Sequence, residues 1–303
     1  MALLAAAGVS LSILAFSVVL GSEGGRHRQV FEFKAAGRVA ALQAEMDSHV
    51  EAVHSLQSLY SATESVSRQE FSVFAGNEFS THTAIQALEW VPLVKAEERA
   101  GYEAAVQAEG FSGFTILERQ DDEVLTPAIE RPEYFPVTYV EPYLGNEAAL
   151  GFVLASNPSR YAALREARDS GNPVATQRIV LVQEVADQFG FLLFTPVYQR
   201  GVLTSTMQQR SEALSGFALG VFRIGDLVSS AWEKAGVPPL TGYDELALTD
   251  RSAPEGSQTL LTPGETPHGT TRSADLAFND SLNIGGRVWD ATMTTSSQSV
   301  LTI

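Results

Sequence analysis

No proline interrupts the chain from Gly25 to Val91, and inside that stretch Val39, Leu42, Met46, His49, Val53, Leu56, Tyr60 and Thr63 recur at alternating steps of three and four. Such a stripe marks one face of a long helix that needs covering. Two coverings are open. The helix can lie on its own domain, or it can act as a stalk over residues 23–83 that pairs with a second copy to give a homodimer. Polar residues at two of the eight positions make the second seam imperfect.

Upstream, Ala2 to Gly21 reads ALLAAAGVSLSILAFSVVLG without a charge. About 20 such residues cross a hydrocarbon layer of about 30 Å. A cleaved leader would need a basic start and a small-residue cleavage pattern, and neither is present. Residues 1–22 are therefore expected to be a transmembrane helix. Arg26, His27 and Arg28 follow it, which a positive-inside count assigns to the cytoplasm.

Beyond about Ala84 the texture changes to short strands and helices. ALEWVPLV reads as a strand ending near Pro92, residues 96–109 as a helix stopped by Gly110, and FTILER and FPVTYVEPY as further strands. From Asn157 to Ser170 the helix is well punctuated: Asn157 can cap it, Pro158 suits its first turn and Gly171 ends it. RIVLVQEV and FLLFTPVY flank ADQFG as an antiparallel hairpin, and residues 201–215 read as a polar connector. A second cycle follows: GFALGVFRI, a helix over 226–234, then DELALTD, ADLAFND and GRVWDATMTT. The fold class is α+β, with a long N-terminal helix followed by two tandem units at 84–203 and 204–303.

Composition removes several functions. The net charge is -16, from 36 acidic and 20 basic residues, which repels phosphate backbones, so no nucleic acid partner is expected. There is no cysteine, hence no disulfide, thiolate nucleophile or iron–sulfur cluster. His27, His49, His54, His82 and His268 form no metal-binding pair, and no nucleophile elbow, phosphate loop or dinucleotide fingerprint occurs. Asp121, Asp122 and Glu123, the densest acidic run, read as a solvated loop. No cofactor, metal or catalytic residue is expected. A periplasmic hydrolase using scattered carboxylates, or a partner-binding structural domain without a small ligand, stays open as an alternative.

ALEWVPLV, YFPVTYVEPYLGNEAALGFVLAS, RYAALREARDSGNPVATQRIVLVQE and GFLLFTPVY occur in an order that resembles the CHASE domain, closely from about Val66 to Tyr198 and more loosely through Phe222. That domain is an extracellular sensor on histidine kinases, nucleotide cyclases and diguanylate cyclases, including plant cytokinin receptors. The resemblance implies a membrane-distal PAS-like ligand unit (84–203) and a membrane-proximal PAS-like unit (204–303). It also places the sensor on the periplasmic or extracellular side of the cytoplasmic membrane, against the charge count around Arg26. A second span and an output module would follow, so the chain is expected to be part of a larger receptor for a small molecule.

By position in the family pattern, Tyr139, Val153, Ala175, Thr176 and Phe194 line the ligand site. The cytokinin receptors carry an aspartate at the position of Val153, where its carboxylate pairs with the polar edge of adenine. Valine offers no acceptor. An unpaired buried N–H costs about 1–3 kcal/mol, so adenine-type cytokinins are expected not to bind tightly.

Overall fold

The computed structural model describes residues 2–119, 124–180, 188–240, 244–262 and 275–296, of which residues 2–24 by backbone alone. Helix α1 (Ala2–Ala62) is followed by α2 (Arg68–Phe79), β1 (Ile85–Pro92), β2 (Val94–Lys95), α3 (Arg99–Ala108), β3 (Leu117–Arg119), β4 (Leu125–Pro127), β5 (Glu133–Tyr134) and β6 (Tyr139–Glu141). Then come α4 (Pro158–Ser170), β7 (Val174–Ala175), β8 (Gly190–Tyr198), α5 (Met207–Ala213), β9 (Leu214–Arg223) and α6 (Ile224–Lys234). The chain closes with β10 (Asp244–Asp250), β11 (Thr259–Leu261), β12 (Leu276–Ile284) and β13 (Arg287–Thr295). This is a mixed helix and sheet fold, an N-terminal helix leading into a sheet-rich body.

Two larger antiparallel sheets carry that body, one ordered β6-β1-β9-β8-β7 and the other β11-β10-β13-β12. Strands β8 and β9 are buried almost throughout, because helices and loops cover both faces of the first sheet. Their continuous apolar runs follow from that double burial. Strands β10 and β13 instead alternate buried and half-buried residues, as strands with one covered face do. The expected second unit starts at residue 204 and takes GFALGVFRI as its first strand. The structure places β9 between β1 and β8, in the middle of the first sheet, so the sheet boundary falls after Arg223.

One apolar core joins α1, α6 and parts of both sheets. Val39, Leu42, Met46, His49, Val53 and Leu56 are all buried in it or beside it. The stripe expected to pair two chains therefore packs on the chain's own sheets and α6. At Gly220 of β9, a Cβ would stand 2.6 Å from the Val53 methyl, so α1 lies where no side chain fits beneath it. The expected single helical region 23–83 is also divided. Ser67 and Glu70 form a capping box that starts α2 afresh, each side chain accepting from the other's backbone N–H.

Other expectations meet the structure locally. Asn157 accepts from the backbone of Ser159 and Arg160, and Gly171 ends α4 at φ 78. The hairpin around ADQFG is described only at its base, where Ile179 and Gly190 exchange two backbone hydrogen bonds. The connector at 201–215 contains α5, capped by Thr206 and Gln209. The acidic run at 121–123 lies outside the described residues. Among the described residues no helix is long and apolar enough to cross a membrane; the span expected at 1–22 lies where no side chains are described.

Candidate functional site

Strand alternation gives the first sheet two distinct faces. Leu88, Trp90, Ala218, Gly220, Leu193, Thr195, Tyr139 and Ala175 point toward α1 and α2. Glu89, Val140, Leu219, Phe194 and Val174 stand side by side on the other face. That second face is covered by Ala163, Leu164 and Ala167 of α4 and by Phe135, Val137, Phe152 and Leu154 from the loops around it.

An ionisable residue in that apolar wall is unexpected. Glu89 is 2% exposed. Burial pushes its carboxyl up to about 8, the charge of Arg160 pulls the other way, and no hydrogen bond from the described residues adds to that pull. Arg160 comes from the first turn of α4 and is 8% exposed, its guanidinium 5.2 Å above the Phe152 ring. Burial, and then the charge of Arg119, pushes it down to about 10. Among the described residues its guanidinium makes one hydrogen bond, from Nη2 to the Val180 carbonyl at 3.5 Å, and its Nε finds no partner. Arg119 is half-buried at the end of β3, and its Nε is buried and equally unpartnered among the described residues.

The backbone brings these groups together. Leu117, two residues before Arg119, bridges Phe152 in parallel and accepts the Val153 N–H at 2.7 Å. Phe152 in turn lies under Arg160. Glu89 from β1, Arg119 from β3 and Arg160 from α4 thus face one region between the sheet and its cover. Two cations and one carboxyl in a largely apolar enclosure can grip a small charged molecule by complementary ion pairs.

The five residues expected to line a ligand site do not share one space. Phe194 lies on the face of Glu89, two strands away, and packs edge-on to Phe217. Thr176 lies just past β7, its hydroxyl accepting the Leu192 N–H. Tyr139 is on the opposite face, beside Phe71 and under the Arg68 guanidinium. Ala175 is on that opposite face too and donates its N–H to Gly285 of the second sheet's hairpin. Val153 is fully buried in a separate cluster with Val94, Val106, Phe114, Ile116, Ala128 and Tyr134. Sequence reasoning missed Glu89, Arg119 and Arg160, although a Glu within ALEWVP and an Arg just after a helix cap were visible signals.

Comparison with known proteins bears on these observations. The CHASE domain family model matches residues 64–261. Hybrid signal transduction histidine kinase A of Dictyostelium discoideum is 24% identical over 304 aligned residues, covering 93% of this chain and 14% of the relative. Histidine kinase 3 of Arabidopsis thaliana is 28% identical over 163 residues, covering 54% of this chain and 15% of the relative. The chain thus spans about one-seventh of the length of these curated relatives. The fold resembles the ligand-binding domain of the Pseudomonas aeruginosa amino acid chemoreceptor PctC in complex with GABA (TM-score 0.50, 11% identity, 89% of this chain and 99% of that one). It equally resembles the periplasmic sensory domain of the Campylobacter jejuni chemoreceptor Tlp1 (TM-score 0.50, 12% identity, 92% and 98%). At such identities the likeness shows the fold alone.

Proposed function

The chain belongs to the CHASE domain family of sensors, and from that membership we propose that it is the ligand-sensing part of a transmembrane signalling receptor whose output module, a histidine kinase or a cyclase, lies elsewhere in the full protein. Domains of this kind bind small molecules. The first sheet with its covering segments is the membrane-distal PAS-like ligand unit, and the second sheet is the membrane-proximal one. The course of α1 supports this order. Arg38, Gln43 and Glu45 meet Pro238, Asn283 and Lys234 before Val53 and Tyr60 reach the first sheet at Gly220 and Trp90. Residues 1–22 anchor the chain in the cytoplasmic membrane, with the sensor on the periplasmic or extracellular side.

The observation that carries this reading is the enclosed polar region around Glu89, on a sheet face that is otherwise apolar. Phe194 and Thr176 border the same side of the sheet, and Val153, Tyr139 and Ala175 act on the ligand only through their neighbours. Two copies pair along the face of α1 that the core leaves free, where Phe33, Gly37, Ala40 and Ala44 follow one another at steps of four, three and four. Phe33 is 82% exposed there. Ligand then selects one arrangement of the distal unit and biases α1 across the membrane.

A thermal-shift screen of the chain against a metabolite panel tests the sensor reading. A saturable rise in melting temperature with at least one compound is expected. Uniform silence across organic acids, amino acids, amines and purines would count against a small-molecule sensor.

A further inference from the structure

We infer that Glu89, Arg119 and Arg160 form the recognition site for a small amino carboxylate, the two guanidinium groups taking its carboxylate and Glu89 its amino group. The inference deepens the sensor reading and rests on it.

Two other ion clusters in the same molecule, one half-buried and one buried, show what a purely structural arrangement looks like. Arg99 donates to Glu103 Oε1, the Ala128 carbonyl, the Tyr134 hydroxyl and the Ile116 carbonyl, so all three of its nitrogens are occupied. Glu45 accepts from Ser230 and Lys234. Most buried ions are satisfied in this way, because each lost hydrogen bond costs desolvation; Arg38, bonded to the Pro238 carbonyl with its Nε unpartnered among the described residues, is an exception at the α1–α6 seam. Arg160 is deeper than Arg99 and nearly as deep as Glu45, yet among the described residues its guanidinium makes one long bond and leaves Nε idle. Arg119 repeats the pattern at Nε. Among the described residues no carboxylate hydrogen-bonds either guanidinium, although the charge of Arg119 acts on Arg160.

A carboxylate is the fitting anion. It is planar and takes paired N–H donors from guanidinium, on a sheet face otherwise covered by the apolar Phe152, Leu164, Phe194 and Leu219. Glu89 stands across from α4, on the sheet itself; its carboxyl, held protonated by burial, becomes the carboxylate partner of an ammonium group by releasing that proton to solvent on binding. The half-buried Arg119 puts one edge of the site within reach of solvent. An amino carboxylate therefore has a partner for each end, whereas a plain amine meets two cations and a neutral aromatic leaves both guanidinium groups unneutralised.

Calorimetric titration of the full 303-residue chain in a carboxylate-free buffer tests the assignment. The probes are L-alanine, γ-aminobutyrate, succinate and butylamine. Saturable binding of at least one of the first two, with none of butylamine, is expected. Arg160→Ala should weaken that binding by about ten- to hundred-fold, as loss of a charged hydrogen-bond partner does. Arg160→Lys and Arg119→Ala serve if the alanine variant does not fold, and each should weaken it at least several-fold. Glu89→Gln should weaken the amino carboxylate while sparing succinate. Amino-carboxylate binding that all four variants leave unchanged would place the site elsewhere and overturn the inference. Binding of a purine or other neutral compound, with every carboxylate silent, would overturn the ligand class and leave the sensor reading standing. Silence toward all classes would overturn both.

Discussion

Tyr60 lies flat against Trp90, with ring centroids 3.8 Å apart and planes 13° from parallel. The stack fastens the last turn of α1 to β1 of the first sheet. Trp90 directly follows Glu89, and successive strand residues point to opposite faces. One peptide unit therefore separates the enclosed polar region from the helix that leads back toward the N-terminus. Removing the ring from Tyr60 should loosen this attachment. Tyr60→Ala is expected to cost about 2–4 kcal/mol, combining lost burial with the loss of an aromatic pair. Urea denaturation measures it. A loss below about 1 kcal/mol would mean that other contacts hold the helix end.

Leu56 and Phe33 separate folding from association. Leu56 is fully buried between α1 and the sheets. Leu56→Glu is expected to destabilise the whole domain by about 3–5 kcal/mol, since a carboxylate there has neither water nor partner. Phe33→Glu sits on the open face and should leave the melting temperature unchanged while weakening self-association. Sedimentation together with circular dichroism reads both. A folded Leu56→Glu protein with weakened association would restore the original stripe as the seam between chains.

Val153 gives a different kind of test. Its side chain is enclosed by apolar neighbours, and its N–H is already bound to the Leu117 carbonyl. Val153→Asp should therefore cost about 2–4 kcal/mol of stability rather than create an adenine anchor. Isopentenyladenine and zeatin are expected to bind neither form tightly. A submicromolar dissociation constant for either compound, in either form, would sink this prediction.

Much of the fold was legible in short-range signals, and the site was not. Asn157, Pro158 and Gly171 delimit α4 through local backbone chemistry, so no distant information was needed. The runs in β8 and β9 announced strands buried on both faces. The spacing of Val39 through Leu56 showed that a face is buried, but periodicity carries no information about what buries it. The new start at Ser67 could have been read from SRQE, a capping box. Glu89 is a harder case. Within ALEWVP it looks like the polar residue of a half-exposed strand, and only the arrival of β9, from far along the chain, encloses it. Arg160 is hidden in the same way, as an arginine in a polar first turn whose side chain folds under α4 onto Phe152.

Glu89 should also set how stability depends on pH, and the direction can be worked out. In the unfolded chain a glutamate titrates near 4.5, while burial holds this one protonated up to about 8. Between those values the unfolded state releases a proton that the folded state keeps, so rising pH favours unfolding. The contribution is fully present below the unfolded value and is lost as pH climbs through the folded one. Each pH unit in that window is worth about 1.4 kcal/mol. Glu89→Gln cannot ionise, so its stability relative to the parent should rise by about 2–4 kcal/mol between pH 5 and pH 8. His49 runs the other way. Burial pushes its ring below the ordinary value, which costs stability as pH falls through that range. It does so in both proteins alike and cancels in the difference. Urea denaturation curves at several pH values supply the measurement. Parallel curves for the two proteins would mean that Glu89 is ionised and partnered in the folded state, and with that the case for an open acceptor facing Arg160 would fall.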